Sequence, residues 1–267
     1  MNLTAYIQGV GLIGPGLADW KAGARVIAGE MAYSPCPTTV PTPEGLPAAE
    51  RRRTGLTVKL AVSVAQQAVA DAGVDPIGLP AVFSSSGGDG LICHEICETL
   101  ASADRQLSPT RFHNSVHNAA AGYWSIAAGA TAASTAICAY DASFAAGLLE
   151  ALALLAVDGV PVLLSAYETT YPEPLRATRP LPDAFAVALV LTPAPTPKAH
   201  ARVTAKICNA DTAADRLSDP GLEALRAAVP AARSLPLLRL LARREPGDVV
   251  LDYMGRQCLA LEVRECP

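Results

Sequence analysis

Charge is scarce in this chain. Only 17% of its 267 residues are Asp, Glu, Lys or Arg, against 51% hydrophobic, and the mean hydropathy is +0.27. A chain this apolar either encloses a thick core or keeps a broad face for a partner, since an obligate interface resembles a core cut in half. A basic excess is missing as well. The net charge of −4 and pI of about 5.6 argue against nucleic acid as a ligand. No unbroken apolar run approaches the roughly 18 residues that span a bilayer, so no membrane span is expected. The opening MNLTAYIQG carries no basic region and no apolar run with a cleavage site, so no signal peptide is read and the expected compartment is the cytoplasm. Histidine is rare, at four residues. Cysteine is better supplied: Cys36, Cys93, Cys97, Cys138, Cys208, Cys258 and Cys266 are odd in number and irregularly spaced. Without an export signal, reduced thiols are the expectation.

The hydrophobic pattern predicts alternating strands and helices. Thr4 to Gln8 reads as a strand, and Asp19 to Ala28 as a short helix. MAYSPCPTTVPTPEGLPAAE is too rich in proline for a central strand and reads as an irregular surface segment. Thr54 is placed as the cap of a helix ending before Gly73, with Leu56, Leu60, Val64, Ala68 and Ala72 on one face. Pro80 to Ser84 reads as a strand, Leu91 to Ala101 as a helix, and Ser108-Pro109 as a helix start. Asn118 opens a helix of small residues. Ala133 to Ala139 reads as a strand leading into a helix from Ser143 to Val157, with Asp141 as its cap. Val160 to Ser165 is a buried strand, and Ala184 to Thr192 and Ala201 to Cys208 read as neighbouring antiparallel strands. Leu217 to Arg244 gives one or two helices, and a hairpin through Met254-Gly255-Arg256 closes the chain. Apolar strands between helices imply an α/β fold, a mixed and mostly parallel sheet covered by helices on both faces. A single domain over residues 1–267 is expected, with a variable extension from about residue 211.

Short motifs are weighed against plainer readings. Gly9-Val-Gly11-Leu-Ile-Gly14 fits a dinucleotide fingerprint, yet the acid expected at the end of a second strand is replaced by the proline-rich segment. A tight turn requiring glycine is the better account. Cys93 and Cys97 lie one helical turn apart without a second ligand pair, so buried packing is read rather than a metal. His113 and His117 share an i, i+4 spacing that suits metal binding, base chemistry or interfacial hydrogen bonding. Ser84-Ser85-Ser86 before Gly87-Gly88 is not a hydrolase elbow. Arg51-Arg52-Arg53 with Lys59 is either a solvated helix entry or a docking spot for an acidic carrier protein. No cofactor and no metal are expected.

Six segments in series resemble the N-terminal half of the β-ketoacyl synthases: AYIQGVGLIGPG, RRRTGLTVKLAVSVAQQAVADAGVD, PAVFSSSGGDG, SPTRFHNSVHNAAAGYWSIAAGA, STAICAYDASFAAGLLEALALLA and VPVLLSAYE. The resemblance runs over roughly residues 4 to 210 and implies a thiolase-like half-fold. It also implies a nucleophile turn after Ala133 to Ala139. Counting back without gaps from Ala166-Tyr167-Glu168 puts the family's cysteine slot on Tyr140. Cys138 lies two residues earlier, about two strand steps away. A tyrosine cannot replace a thiolate there, since its reference pKa is near 10. The family's paired histidine motifs are not found, and His200 is the sole histidine after Tyr140.

These departures resemble the shortened, chain-length-factor type of subunit, including those beside aryl-polyene ketosynthases. The resemblance implies a heterodimer with a full-length ketosynthase and contact with acyl carrier protein through that complex. It places His113, Asn114, His117, Asn118, Tyr123 and Trp124, with Ser134, Thr135 and Ile137 of the following strand, at the interface or the acyl tunnel. Tyr140 is read as a plug or a core tyrosine. Two rival functions stay open: a standalone condensing enzyme using Cys138, and a homodimeric scaffold without any acyl-chain role.

Overall fold

The computed structural model describes residues 2–209 and 213–266. In chain order the elements are β1 (Leu3–Ile13), α1 (Trp20–Ile27), α2 (Ala48–Arg53), α3 (Leu56–Ala72), β2 (Ala81–Ser84), α4 (Gly90–Ala101), α5 (Pro109–Asn114), α6 (Ala119–Ala128) and β3 (Ser134–Ile137). A 3-10 turn at Tyr140–Ala142 leads into α7 (Ser143–Asp158). Then come β4 (Val162–Glu168), α8 (Leu175–Thr178), β5 (Phe185–Thr192), β6 (Ala201–Asn209), α9 (Pro220–Ala228), a second 3-10 turn at Pro230–Ser234, α10 (Leu235–Arg243), β7 (Gly247–Asp252) and β8 (Gln257–Arg264).

The eight strands form one sheet in the order β3-β2-β4-β5-β1-β6-β8-β7. The fold is α/β and the sheet is mixed. Five strands (β1, β2, β3, β4 and β8) point the same way, but among the described residues β2–β3 and β2–β4 are the only parallel neighbours. The mostly parallel sheet of the sequence reading therefore holds for strand direction and not for pairing. Also corrected is the adjacency of β5 and β6: β1 lies between them and pairs with both. The link at residues 193–200 is long enough to cross over β1, and periodicity alone carries no information on which strand is inserted.

Helices cover both faces, and β5 shows how. Phe185, Val187, Leu189 and Leu191 enter the core beneath α7, α9 and α10, while Ala186, Ala188 and Val190 enter the core beneath α3 and α6. The period of two sorts large side chains to one face and small ones to the other. Small residues let α3 approach closely. In β1 the register slips between Ile7 and Gly9. Leu3, Ala5 and Ile7 face one core, and after the bulge Val10 and Leu12 face that same core. Gly9 and Gly11 are thereby turned toward α3, where a methyl on either would collide with a backbone carbonyl, that of Ala68 or Val64. Gly9 and Gly11 of the fingerprint thus lie within a strand and serve helix–strand contact, while Gly14 opens a tight turn closed by hydrogen bonds to Leu17. The strand runs on to Ile13 because the bulge, which hides the alternation in the sequence, does not end it.

Smaller expectations are also revised. Thr54 ends α2, with its hydroxyl donating to Arg51 O, and Gly55 precedes α3. Cys93 and Cys97 are exposed on α4, not buried. The thiols are not all free: Cys208 and Cys258 are directly opposed across β6 and β8, with Cα atoms 5.2 Å apart, and form a disulfide. The hairpin β7–β8 turns through Gly255 at φ +61°. The extension boundary expected near residue 211 lies outside the described residues. Tyr140–Asp158 is long and apolar enough to cross a bilayer by length and composition, but half of it is buried. Phe144, Leu148, Leu152 and Leu155 seat α7 on the sheet.

Candidate functional site

The region of interest forms where β2, β3 and β4 end side by side. β3 finishes at Ile137, and the chain must reverse within a few residues to start α7. Tyr140 absorbs that reversal with φ +52°, a left-handed backbone that costs a non-glycine residue energy. The turn is tied by Ser143, whose hydroxyl accepts from Ala139 N (3.1 Å) and donates to Tyr140 O (2.7 Å). The Tyr140 side chain neither plugs a cavity nor enters the core; it is 61% exposed. Its ring lies under the Arg179 guanidinium, whose carbon is 3.8 Å from the ring centroid.

Asp141 does not cap α7. It accepts from Arg179 (2.7 Å) and from Arg233 (3.1 Å). Arg233 reaches on to Asp252 at 2.9 Å, and Arg226 pairs with Glu223 at 2.8 Å and approaches Asp252 at 3.8 Å. This ladder of alternating charge ties the turn to α9 and β7. Sequence reading missed Arg179 and Arg233 because they lie 38 and 92 residues from Asp141. Only the fold brings them together.

Cys138 is exposed and its Sγ donates to Ser86 O at 3.0 Å. Ser86 belongs to a densely bonded turn after β2. Its N–H and hydroxyl both donate to Glu168, at 2.6 and 2.8 Å, and the Tyr171 hydroxyl lies 3.4 Å from the Ser86 hydroxyl. Side chains at Gly87 or Gly90 would overlap the Tyr171 ring, so both glycines are needed to seat it. His117 approaches Ser85 O through Nε2 at 3.2 Å. His94 pairs with Glu98, His200 pairs with Asp71, and His113 is exposed on α5. Among the described residues no histidine is hydrogen-bonded to Cys138 or Tyr140.

Glu168 is 2% exposed, and burial pushes its carboxyl up to about 7 against the pull of the Ser86 donors and Arg179. Between the ordinary 4.5 and about 7 the folded chain keeps a proton that the unfolded chain releases. Stability from this group therefore falls as pH rises through that window, by about 3 kcal/mol in all. Glu168→Gln imitates the protonated acid, because an amide can still accept from Ser86 N. Thermal unfolding of this variant is expected to match the parent at pH 5 and to exceed it by several degrees at pH 8. Parallel pH profiles for the two proteins would refute the assignment.

Of the residues expected at the interface, Asn114, Tyr123 and Trp124 are packed inside the chain. Asn114 donates to Arg53 O (2.8 Å) and accepts from the Tyr123 hydroxyl (3.0 Å), joining α2, α5 and α6. Asn114 and Trp124 are corrected: they support the surface and do not form it, while Tyr123, itself almost buried, lines the floor of the groove there. α5 ends at Asn114, so His113 and His117 do not share a helical face. Exposed instead are Phe112, Val116 and Ile126, which with Pro109, His113 and Asn118 line a groove of about 570 Å³. Ser134 is exposed, and Thr135 and Ile137 are half-buried, on the outermost strand β3. Arg51, Arg52 and Arg53 are exposed on α2, with Arg53 bonded to Glu50, and Lys59 is half-buried.

Comparison with known proteins places this geometry. No curated protein matches the chain. Many solved structures share the fold, among them the following three. One is a chain of the ketosynthase ApeO in complex with its chain length factor ApeC from Xenorhabdus doucetiae, at 24% identity and TM-score 0.73, covering 97% of this chain and 99% of that one. A second is the ishigamide ketosynthase/chain length factor, at 14% identity and TM-score 0.72, covering 99% and 100%. The third is a β-ketoacyl synthase from Burkholderia phymatum STM815, at 12% identity and TM-score 0.71, covering all of both chains. The β-ketoacyl synthase N-terminal domain family matches residues 20–243. With the sheet order, the strand-to-helix turn at Tyr140 and this match over most of its length, the chain belongs to the β-ketoacyl synthase N-terminal domain family.

Proposed function

We propose that this protein is a non-catalytic, chain-length-factor-like subunit that pairs with a β-ketoacyl-carrier-protein synthase and bounds its acyl tunnel in fatty-acid or polyketide elongation, of the aryl-polyene type. The observation that carries this reading is the turn itself. A tyrosine occupies the strained position between strand and helix, exposed and stacked under an arginine. The nearest thiol, Cys138, is two residues back on the strand side and hydrogen-bonded to Ser86 O. A phenol with a pKa near 10 is a poor acyl acceptor at neutral pH. Condensation, decarboxylation and thioester exchange then belong to the partner. The names of similar structures, which pair a ketosynthase with a chain length factor, support the same reading.

The partner-facing surface is the free edge of β3 and the groove beside it. Residues 129–140 (GATAASTAICAY) carry no charge. The opposite sheet edge, β7, carries Asp248 and Asp252. Natural sheets guard exposed edges with charge, and an unguarded edge suits strand pairing. Phe112, Val116 and Ile126 supply the apolar wall that limits an acyl chain, and Arg51, Arg52, Arg53 and Lys59 supply a cationic docking spot for the carrier protein.

Co-expression with a ketosynthase bearing its cysteine and both histidines tests this. The two chains are expected to co-purify and to elongate acyl carriers together, while the isolated chain forms neither carbon–carbon bonds nor an acyl-enzyme at Cys138. Phe112→Ala in the complex is expected to shift the product distribution to longer chains, read by mass spectrometry. Elongation by the isolated chain would establish the Cys138 enzyme. Failure to co-purify would favour a homodimeric scaffold.

A further inference from the structure

We infer that Cys208 and Cys258 form a redox-controlled staple on the C-terminal strands, closed and opened by exchange with low-molecular-weight disulfides and thiols. The inference is independent of the pairing function.

The staple sits where β6 loses one of its two neighbours. β1 accompanies β6 only as far as Ala205, which pairs with Leu3. Among the described residues, Lys206, Ile207, Cys208 and Asn209 beyond that row pair with β8 alone, opposite Ala260, Leu259, Cys258 and Gln257, so this end of β6 is a sheet edge while β8 still pairs with β7. A strand end paired on one side only opens more readily than one paired on both. Lys206 and Ile207 are exposed, so side-chain burial holds the end of β6 weakly, whereas Leu259 and Leu251 on the strands beside it are buried. A covalent link across its penultimate row closes a loop of about 50 residues and restrains the separated strands.

The five other described cysteines are free, four of them exposed. Only this pair is directly opposed on neighbouring strands, so an oxidant that meets every exposed thiol would leave a protein cystine here. Cys208 is half-buried and Cys258 is 3% exposed, which sets the order of events. The Cys208 thiolate attacks one sulfur of a small disulfide and expels one thiolate. The Cys258 thiolate then attacks Sγ of Cys208 and expels the second. Two protons are released and two electrons pass to the oxidant, which leaves as two thiols.

The position gives the staple a route to the Tyr140 turn. Cys258 is the cross-strand partner of Asp252, and Asp252 holds Arg233, which with Arg179 holds Asp141. Loosening the β7–β8 end therefore loosens the acidic anchor of the ion-pair ladder.

The test equilibrates the purified full chain with glutathione disulfide or with excess reduced glutathione, followed by alkylation, peptide mapping and amide hydrogen exchange. In the oxidised sample a single internal cross-link between Cys208 and Cys258 is expected, with Cys36, Cys93, Cys97 and Cys138 alkylated or carrying glutathione. Reduction is expected to speed exchange at residues 206–209 and 257–260 by about tenfold or more while leaving the β5 amides unchanged. The double variant Cys208→Ala and Cys258→Ala is expected to exchange like the reduced protein under both conditions. Glutathione on Cys208 without the internal cross-link would overturn the proposal, as would equal exchange in the two samples.

Discussion

Ala136→Pro is expected to abolish co-purification with a ketosynthase while leaving this chain folded. Ala81 N donates to Ala133 O and Ser85 N to Ile137 O, so residues 133, 135 and 137 direct their backbone groups toward β2. With the period of two, Ser134 and Ala136 direct theirs to the open edge. Proline at position 136 removes an outward N–H and spares the ladder to β2, the setting in which strands tolerate proline. Pairing of β3 with a partner strand loses a central hydrogen bond and meets the ring. Affinity is expected to fall by at least about 100-fold, close to 3 kcal/mol. Circular dichroism and thermal unfolding of the isolated variant, near those of the parent, show that the loss is one of association. Undiminished binding to the ketosynthase would move the interface away from β3.

Gly11→Val is expected to eliminate soluble protein. Gly11 lies in the central strand β1, flanked by β5, with α3 laid across it. The first side-chain carbon would overlap Val64 O, which is fixed by the backbone of a buried helix. Neither element can yield without opening the interface between them. The cost is about 4 kcal/mol or more, a large part of the 5–15 kcal/mol that holds a typical domain together. Gly122→Ala is the matched control. Nothing lies within 4 Å of the added carbon, and the residue is exposed inside α6. It is expected to raise stability by up to about 1 kcal/mol through helix propensity. Denaturant unfolding of the two variants beside the parent reads both effects, and a soluble Gly11→Val protein of parental stability would disprove the close contact.

These two glycines illustrate what is legible locally. Gly11 lies in a segment that resembles the family's opening strand, and only contact with α3 shows why no larger residue fits. The α3 helix was readable because Leu60, Val64, Ala68 and Ala72 repeat on one face and Gly73 stops them in the left-handed region. The hairpin at Gly255 was readable because turn chemistry is encoded within a few residues. The interface list was only half readable. Phe112, Val116 and Ile126 line the groove and Tyr123 reaches it from beneath, whereas Asn114 and Trp124 are packed inside. Residue type does not say which face of α6 the sheet covers.

From the amino-acid order alone follow the strand and helix segments, the family resemblance and the tyrosine where a cysteine would sit, since each depends on neighbours within a turn or on an ordered series of segments. The tertiary structure decided the insertion of β1 between β5 and β6, the cystine, the burial of Glu168 against Ser86, and the Arg179–Asp141–Arg233 ladder whose Arg179 lies over an exposed Tyr140. Those depend on groups from 38 to 202 residues apart meeting in space, and such meetings are set by how layers pack, which periodicity does not specify.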